Sequence, residues 1–109
     1  MSPRDTAYLE AWVAAHRGVE AYVEPQTMMT ETTVVLIAHD GEWTRRRISA
    51  PAVAYRLGRK LGIPVYDIQL VGYPQRMRDH NARQKILQRR KTQAEMQQEL
   101  RRADRPQQS

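Results

Sequence analysis

The chain has 109 residues, with 18 Lys and Arg against 12 Asp and Glu, and neither Cys nor Phe. That length suits one domain and leaves no room for a two-lobed enzyme with a cleft between its lobes. Without Cys there is no disulfide, thiolate nucleophile or Cys-based zinc site, so the cytosol is the expected compartment; no apolar run approaches the roughly 20 residues that span a bilayer, and Met1-Ser2-Pro3-Arg4-Asp5 does not open a signal peptide.

In chain order, Ser2-Pro3-Arg4-Asp5 reads as a helix start, with Ser2 as cap, Pro3 in the first turn and Asp5 closing a capping-box-like pair. Leu9, Trp12, Val13 and His16 follow at helical spacing, and Gly18 stops the helix. Val19, Ala21 and Val23 alternate with Glu20, Tyr22 and Glu24, the pattern of a half-buried strand, which Pro25 ends. Thr32 to Ala38 is β-branched and apolar throughout, as in a central strand covered on both faces. Asp40-Gly41 predicts a two-residue type I′ hairpin, and Glu42 to Ile48 is the return strand. Ser49 is placed to cap a second helix with Pro51 in its first turn, the stripe Val53, Leu57, Leu61, and Gly58 for close packing. Gly62 ends it. Val65 to Val71 then predicts a fourth strand, with Pro64 at its start or on an edge.

The fold expected is therefore a small α+β domain of order α-β-β-β-α-β, with a mixed sheet and a right-handed crossover between the third and fourth strands. A basic helical arm follows. Residues 1–75 hold eight Lys/Arg and eight Asp/Glu, so the whole net charge of +6 falls on residues 76–109. The expected division is a globular part over 1–75 and a helical or partly disordered tail over 76–109.

The order α-β-β-β-α-β resembles the core of the restriction-endonuclease-like nucleases. The stretch Glu31 to Glu42 (ETTVVLIAHDGE) resembles the second strand and hairpin of small nuclease-like proteins in that group. Those nucleases hold a metal with an Asp on the second strand and a Glu-x-Lys on the third. Here these places carry Val34-Val35-Leu36 and Arg45-Arg46-Arg47, so the resemblance implies the fold without metal or cleavage chemistry. The α-β-β-β-α portion is also similar to a double-stranded-RNA-binding domain, but the second helix opens Ala50-Pro51-Ala52-Val53 in place of that family's basic cluster. The run from Thr32 through Asn81 resembles small uncharacterised actinobacterial proteins, some of which carry the label "oxidoreductase". That label implies a cofactor. No G-x-G-x-x-G follows a strand and no Gly-rich loop precedes a helix, so no cofactor is expected.

Trp43, Arg45 and Arg47 alternate and share one face of the third strand, opposite Ala38, Leu36 and Val34 across a two-residue turn. An aromatic ring beside two guanidiniums can stack a base and hold phosphates; the same row also reads as an edge strand guarded by charge. Tyr73-Pro74 reads as a wedge between core and tail, or with Arg76 as part of a binding rim. His16, His39 and His80 have no metal-ligand spacing, and Asp67 reads as a solvent-facing partner for an Arg on the second helix. In the tail, a helix over 76–105 would run about 45 Å at 1.5 Å per residue. Ala82, Ile86, Arg89, Gln93, Met96, Leu100 and Ala103 form a heptad frame with a polar middle, too weak to hold a coiled coil alone. Lys85, Arg89, Arg90 and Lys91 put four cations within two turns, which reads as a solvated helix or as a basic arm that orders on an acidic partner. A membrane-surface helix needs a broad apolar face that this tail lacks.

Three functions are compatible with these residues. The first is a non-enzymatic nucleic-acid-associated protein, linked to RNA or the ribosome, with phosphate contacts from the arm, a sheet-side contact from Trp43, Arg45 and Arg47, and Arg76 on the binding rim. The second is a protein-interaction or oligomerisation module acting through the C-terminal helix. The third, resting on the resemblance alone, is a small oxidoreductase.

Overall fold

A computed structural model describes residues 1–104. Helix α1 (Pro3–Ala15) leads into strands β1 (Glu20–Glu24), β2 (Thr33–Ile37) and β3 (Trp43–Arg47). Helix α2 (Pro51–Leu61), strand β4 (Val65–Asp67), the one-turn helix α3 (Ile68–Val71) and the long helix α4 (Gln75–Ala103) complete the chain. The sheet runs β3-β2-β1-β4; its first three strands pair antiparallel and β4 joins β1 in parallel, so the sheet is mixed, as the strand order requires.

The cap at α1 forms as its sequence dictates: the Asp5 amide donates to the Ser2 hydroxyl at 3.1 Å. Strand β2 is central, and Val34 through Ala38 are all buried. Period-two alternation sends its side chains to two separate cores. Val34, Leu36 and Ala38 join Leu9, Ala21, Val23, Ala54 and Leu57 beneath α1 and α2. Val35 and Ile37 join Tyr22 and Met77 on the opposite face, beneath the root of α4. The second core is small, and Met77 is the helix residue that closes it.

Three local expectations are corrected. The hairpin loop has three residues, not two. Ala38 N–H donates to Glu42 O at 2.8 Å and Gly41 N–H to Ala38 O at 3.0 Å, leaving His39, Asp40 and Gly41 outside the ladder. Gly41 has φ of +90° whereas Asp40 keeps a negative φ, so the type I′ turn, which needs both positive, is absent. The register moves by one, and Trp43, Arg45 and Arg47 lie opposite Ile37, Val35 and Thr33. A one-residue slip exchanges faces, so the Trp43 row belongs with the second core and not with Leu36.

Pro51 opens the second helix and Ala50, whose methyl side chain cannot cap it, is its N-cap residue; Ser49 lies one residue further out. The fourth strand stops at Asp67, because the Asp67 carboxylate accepts from Gln69 N–H at 2.8 Å and caps α3 instead of pairing with an Arg of α2.

Helix α4 has 29 residues, about 43 Å at 1.5 Å per residue. Its first turns dock on the sheet, and every residue from Ala82 to Asp104 is exposed. The molecule measures 68 × 33 × 29 Å as a result. The charge boundary at Gln75 and the packing boundary near Arg83 are therefore two different places.

Candidate functional site

The face of the sheet beneath α4 carries two carboxylates at the ends of β1, and each recruits an arginine. Glu24 accepts from Arg45 Nε at 2.6 Å and Arg45 Nη2 at 3.0 Å, a two-pronged pair, and from Thr33 Oγ1 at 2.6 Å. The Tyr73 hydroxyl donates to its second oxygen. Burial pushes the Glu24 carboxyl up, but the hydrogen bonds from Arg45, Thr33 and Tyr73 outweigh it and hold the carboxyl below its ordinary range. The Tyr73 hydroxyl is raised by burial and by its bond to Glu24. Arg45 also lies over the Trp43 ring, 5.0 Å from its centroid.

Glu20 pairs with Arg76, whose Nε also donates to Ala38 O at 3.0 Å. Trp43 is half-buried, and its Nε1 donates to Asn81 Oδ1 at 2.8 Å. The face opens outward between Trp43, Arg45 and Tyr73 on one side and Met77, Arg78 and Asn81 on the other, a cleft of about 490 Å³.

On the far face of β3, Arg46 lies 3.8 Å above the Tyr8 ring and 3.6 Å from Asp5. Arg47 pairs with Glu31 at 3.2 Å, but both side chains are largely exposed (77% and 70%). The three consecutive arginines thus meet three different acids, which suits an outer strand guarded by charge.

The arm cations are arranged differently. Lys85, Arg89, Arg90 and Lys91 are exposed, and none forms an ion pair among the described residues. At about 100° per residue they ring the helix, with Lys85 and Arg89 on one side and Arg90 and Lys91 on others. Between Gln84 and Ala94 there is no acid at all.

Of the residues singled out by sequence, the structure brings Trp43 and Arg45 together beneath the root of α4, seats Arg76 on Glu20 at the other end of β1, and leaves Arg47 and the four arm cations apart. Sequence reasoning missed Glu24, Met77, Arg78 and Asn81. The one signal was for Glu24, which alternates with Val23 and so shares its side of the strand with the aromatic Tyr22, a hint that this side is covered too. Among the described residues no three of His, Asp and Glu converge as a metal site. No family model matches the chain, and comparison with curated proteins and with solved structures gives no match.

Proposed function

We propose that the protein is a non-enzymatic nucleic-acid-associated protein whose free arm lies along a phosphate backbone. The observation that carries this reading is the contrast in partnering. Arg45, Arg46, Arg47, Arg76 and Lys60 each meet a carboxylate of the domain, and its unpaired Arg4, Arg17, Arg56 and Arg59 are spread over α1, α2 and a loop, while Lys85, Arg89, Arg90 and Lys91 stand together on an exposed helix without a partner among the described residues. A cation already paired with an acid has little left to offer a phosphate. Cations on several sides of one helix suit a single strand that winds about the arm and presents phosphates from several directions. A single strand is favoured over a closed duplex, because the aromatic cleft at the arm's root suits unstacked bases, and RNA is the polymer that presents such bases in loops and ends.

The test is a salt titration of binding to RNA and to DNA. Each phosphate contact releases a counterion, so affinity falls steeply with salt. Replacing Lys85, Arg89, Arg90 and Lys91 with Gln should weaken binding about equally for every sequence and flatten the slope by roughly one unit per lost contact. If that variant binds as tightly as the natural chain at low salt, the reading is wrong.

A second reading, self-association through α4, is favoured by one observation. Ile86, Met96 and Leu100 are exposed large apolar residues on the side of the helix away from the docked Met77. Two copies aligned antiparallel with Ile86 against Met96 would bring Lys85 of one copy beside Glu99 of the other. The polar middle, Arg89 and Gln93, weakens that seam. Sedimentation equilibrium separates the readings, since a dimer forms without any nucleic acid.

A further inference from the structure

The cleft at the root of α4 has a chemistry of its own. Its volume, about 490 Å³, lies within the roughly 300–1,000 Å³ usual for small-molecule sites. The rings of Trp43 and Tyr73 and the buried Met77 supply flat and apolar wall, and Arg45, Arg78 and Asn81 supply polar groups. No carboxylate lines this cleft; Glu24 opens onto the neighbouring recess with Pro25 and Thr30. The polar groups are mostly held in place. Asn81 Oδ1 accepts from Trp43, which leaves its Nδ2 as donor. Arg45 spends Nε and Nη2 on Glu24, which leaves Nη1. Arg78 donates once to Tyr73 O at 3.1 Å and is otherwise exposed.

Donors with no carboxylate among them, beside flat apolar walls, select a planar ligand that bears hydrogen-bond acceptors and a negative charge. We propose that this cleft binds a nucleotide unit, with its base against Trp43 and Tyr73 and its phosphate on Arg78. Ring stacking holds any base, and the donors of Asn81 and Arg45 match acceptors on a base edge. The inference rests on the nucleic-acid reading for its ligand class, but the cleft and the arm are separate surfaces. A free nucleotide and a nucleotide within a single strand share this chemistry. A base stacked in a duplex does not fit it, because both of its faces are covered.

The experiment follows the two Trp indole N–H signals of the ¹⁵N-labelled full chain. Trp12, stacked on His16 at 3.7 Å on the other side of the sheet, is the internal reference, and Trp43→Phe assigns the signals. The chain is titrated with adenosine and uridine 5′-monophosphates, with inorganic phosphate, and with one oligonucleotide as single strand and as duplex. Nucleotide or single strand should shift the Trp43 signal saturably and leave Trp12 still. Phosphate alone and duplex should do so far less. Arg78→Gln, an exposed position, should weaken binding about tenfold, the worth of one charge-assisted hydrogen bond. Absence of any saturable Trp43 shift overturns the proposal, as does an equal shift with phosphate alone or unchanged affinity in Arg78→Gln. The two readings fail separately. Single strands that ignore the four-Gln arm variant while nucleotide still shifts Trp43 remove the arm and keep the cleft. Strand binding that needs the arm but never moves Trp43 removes the cleft and keeps the arm.

Discussion

Gly41, at the tip of the β2–β3 hairpin, lies against the backbone of Arg76 in the first turn of α4. A Cβ at Gly41 would collide with the Arg76 carbonyl and stand 2.8 Å from the Cβ of His80. The hairpin returns two bonds to the helix: Ala38 O accepts from Arg76 Nε, and Asp40 O accepts from Arg83 Nη2 at 3.1 Å. The three-residue loop and the docking of α4 are thus one arrangement. The extra loop residue turns Trp43 and Arg45 toward the helix, and the glycine lets the helix reach them.

Gly41→Ala should therefore cost more than backbone strain alone. Gly62 is the control: its φ is +69°, yet nothing lies within 4 Å of its missing Cβ. Gly62→Ala should lose about 1 kcal/mol, the usual penalty for a left-handed alanine. Gly41→Ala should lose at least about 2–3 kcal/mol, because the backbone of α4 must also move. Urea unfolding of both variants measures the difference, and equal losses would mean that the helix is not seated on the hairpin.

Truncation separates the charge boundary from the packing boundary. A chain ending at Gln84 keeps Arg76, Met77, Asn81 and Arg83 and should be as stable as the whole protein to within about 0.5 kcal/mol. A chain ending at Pro74 loses Met77 and uncovers Ile37 and Trp43. Removing a buried Met side chain alone costs about 2–5 kcal/mol, a large share of the stability of so small a domain. Thermal unfolding of the two chains by circular dichroism decides it.

How far the fold was legible follows from these same residues. Period and punctuation carried most of it: Ser2-Pro3, the apolar run of β2, the Gly62 stop and the unbroken helix of the arm all formed where local patterns put them. What failed was decided by tertiary contact. Asp40-Gly41 is a strong two-residue turn locally, but the docked helix favours the longer loop. Val65 to Val71 reads as one strand until Asp67 finds the amide of Gln69. Met77 carried no signal, since one apolar residue in a basic segment reads as surface. The partnering of Arg45 with Glu24 was hidden for the same reason, because the two are 21 residues apart and meet only across β2.

The Glu24 cluster sets the pH dependence expected of folding. Its carboxyl is held below the ordinary value of about 4.3, so its contribution is complete above that pH and is lost as pH falls through the lower folded value. Tyr73 and Tyr22 are raised, chiefly by burial, so theirs is complete below about pH 10 and is lost as pH rises through the higher folded values. Glu24→Gln should flatten the acid limb of a stability–pH curve and Tyr73→Phe the alkaline limb. An unchanged acid slope in Glu24→Gln would show that other carboxylates control it.

Position should also sort the arginines by what their loss affects. Arg45→Gln leaves Glu24, whose side chain is only 16% exposed, without its two-pronged partner. That should lower stability by about 1–3 kcal/mol, the cost of an undercompensated, mostly buried acid. Arg47→Gln breaks a pair exposed on both sides and should change stability by less than about 0.5 kcal/mol. Arg89→Gln touches no partner among the described residues and should leave stability unchanged while lowering the salt slope of RNA binding by about one unit. The informative comparison is Arg47 with Arg89, two exposed guanidiniums that differ in having an acid within reach. Glu31→Gln frees Arg47, and if an unpaired cation is what a phosphate contact requires, that change should raise the salt slope rather than lower it. Should Glu31→Gln have no effect while Arg89→Gln does, the arm alone lies along the polymer and the outer strand does not reach it.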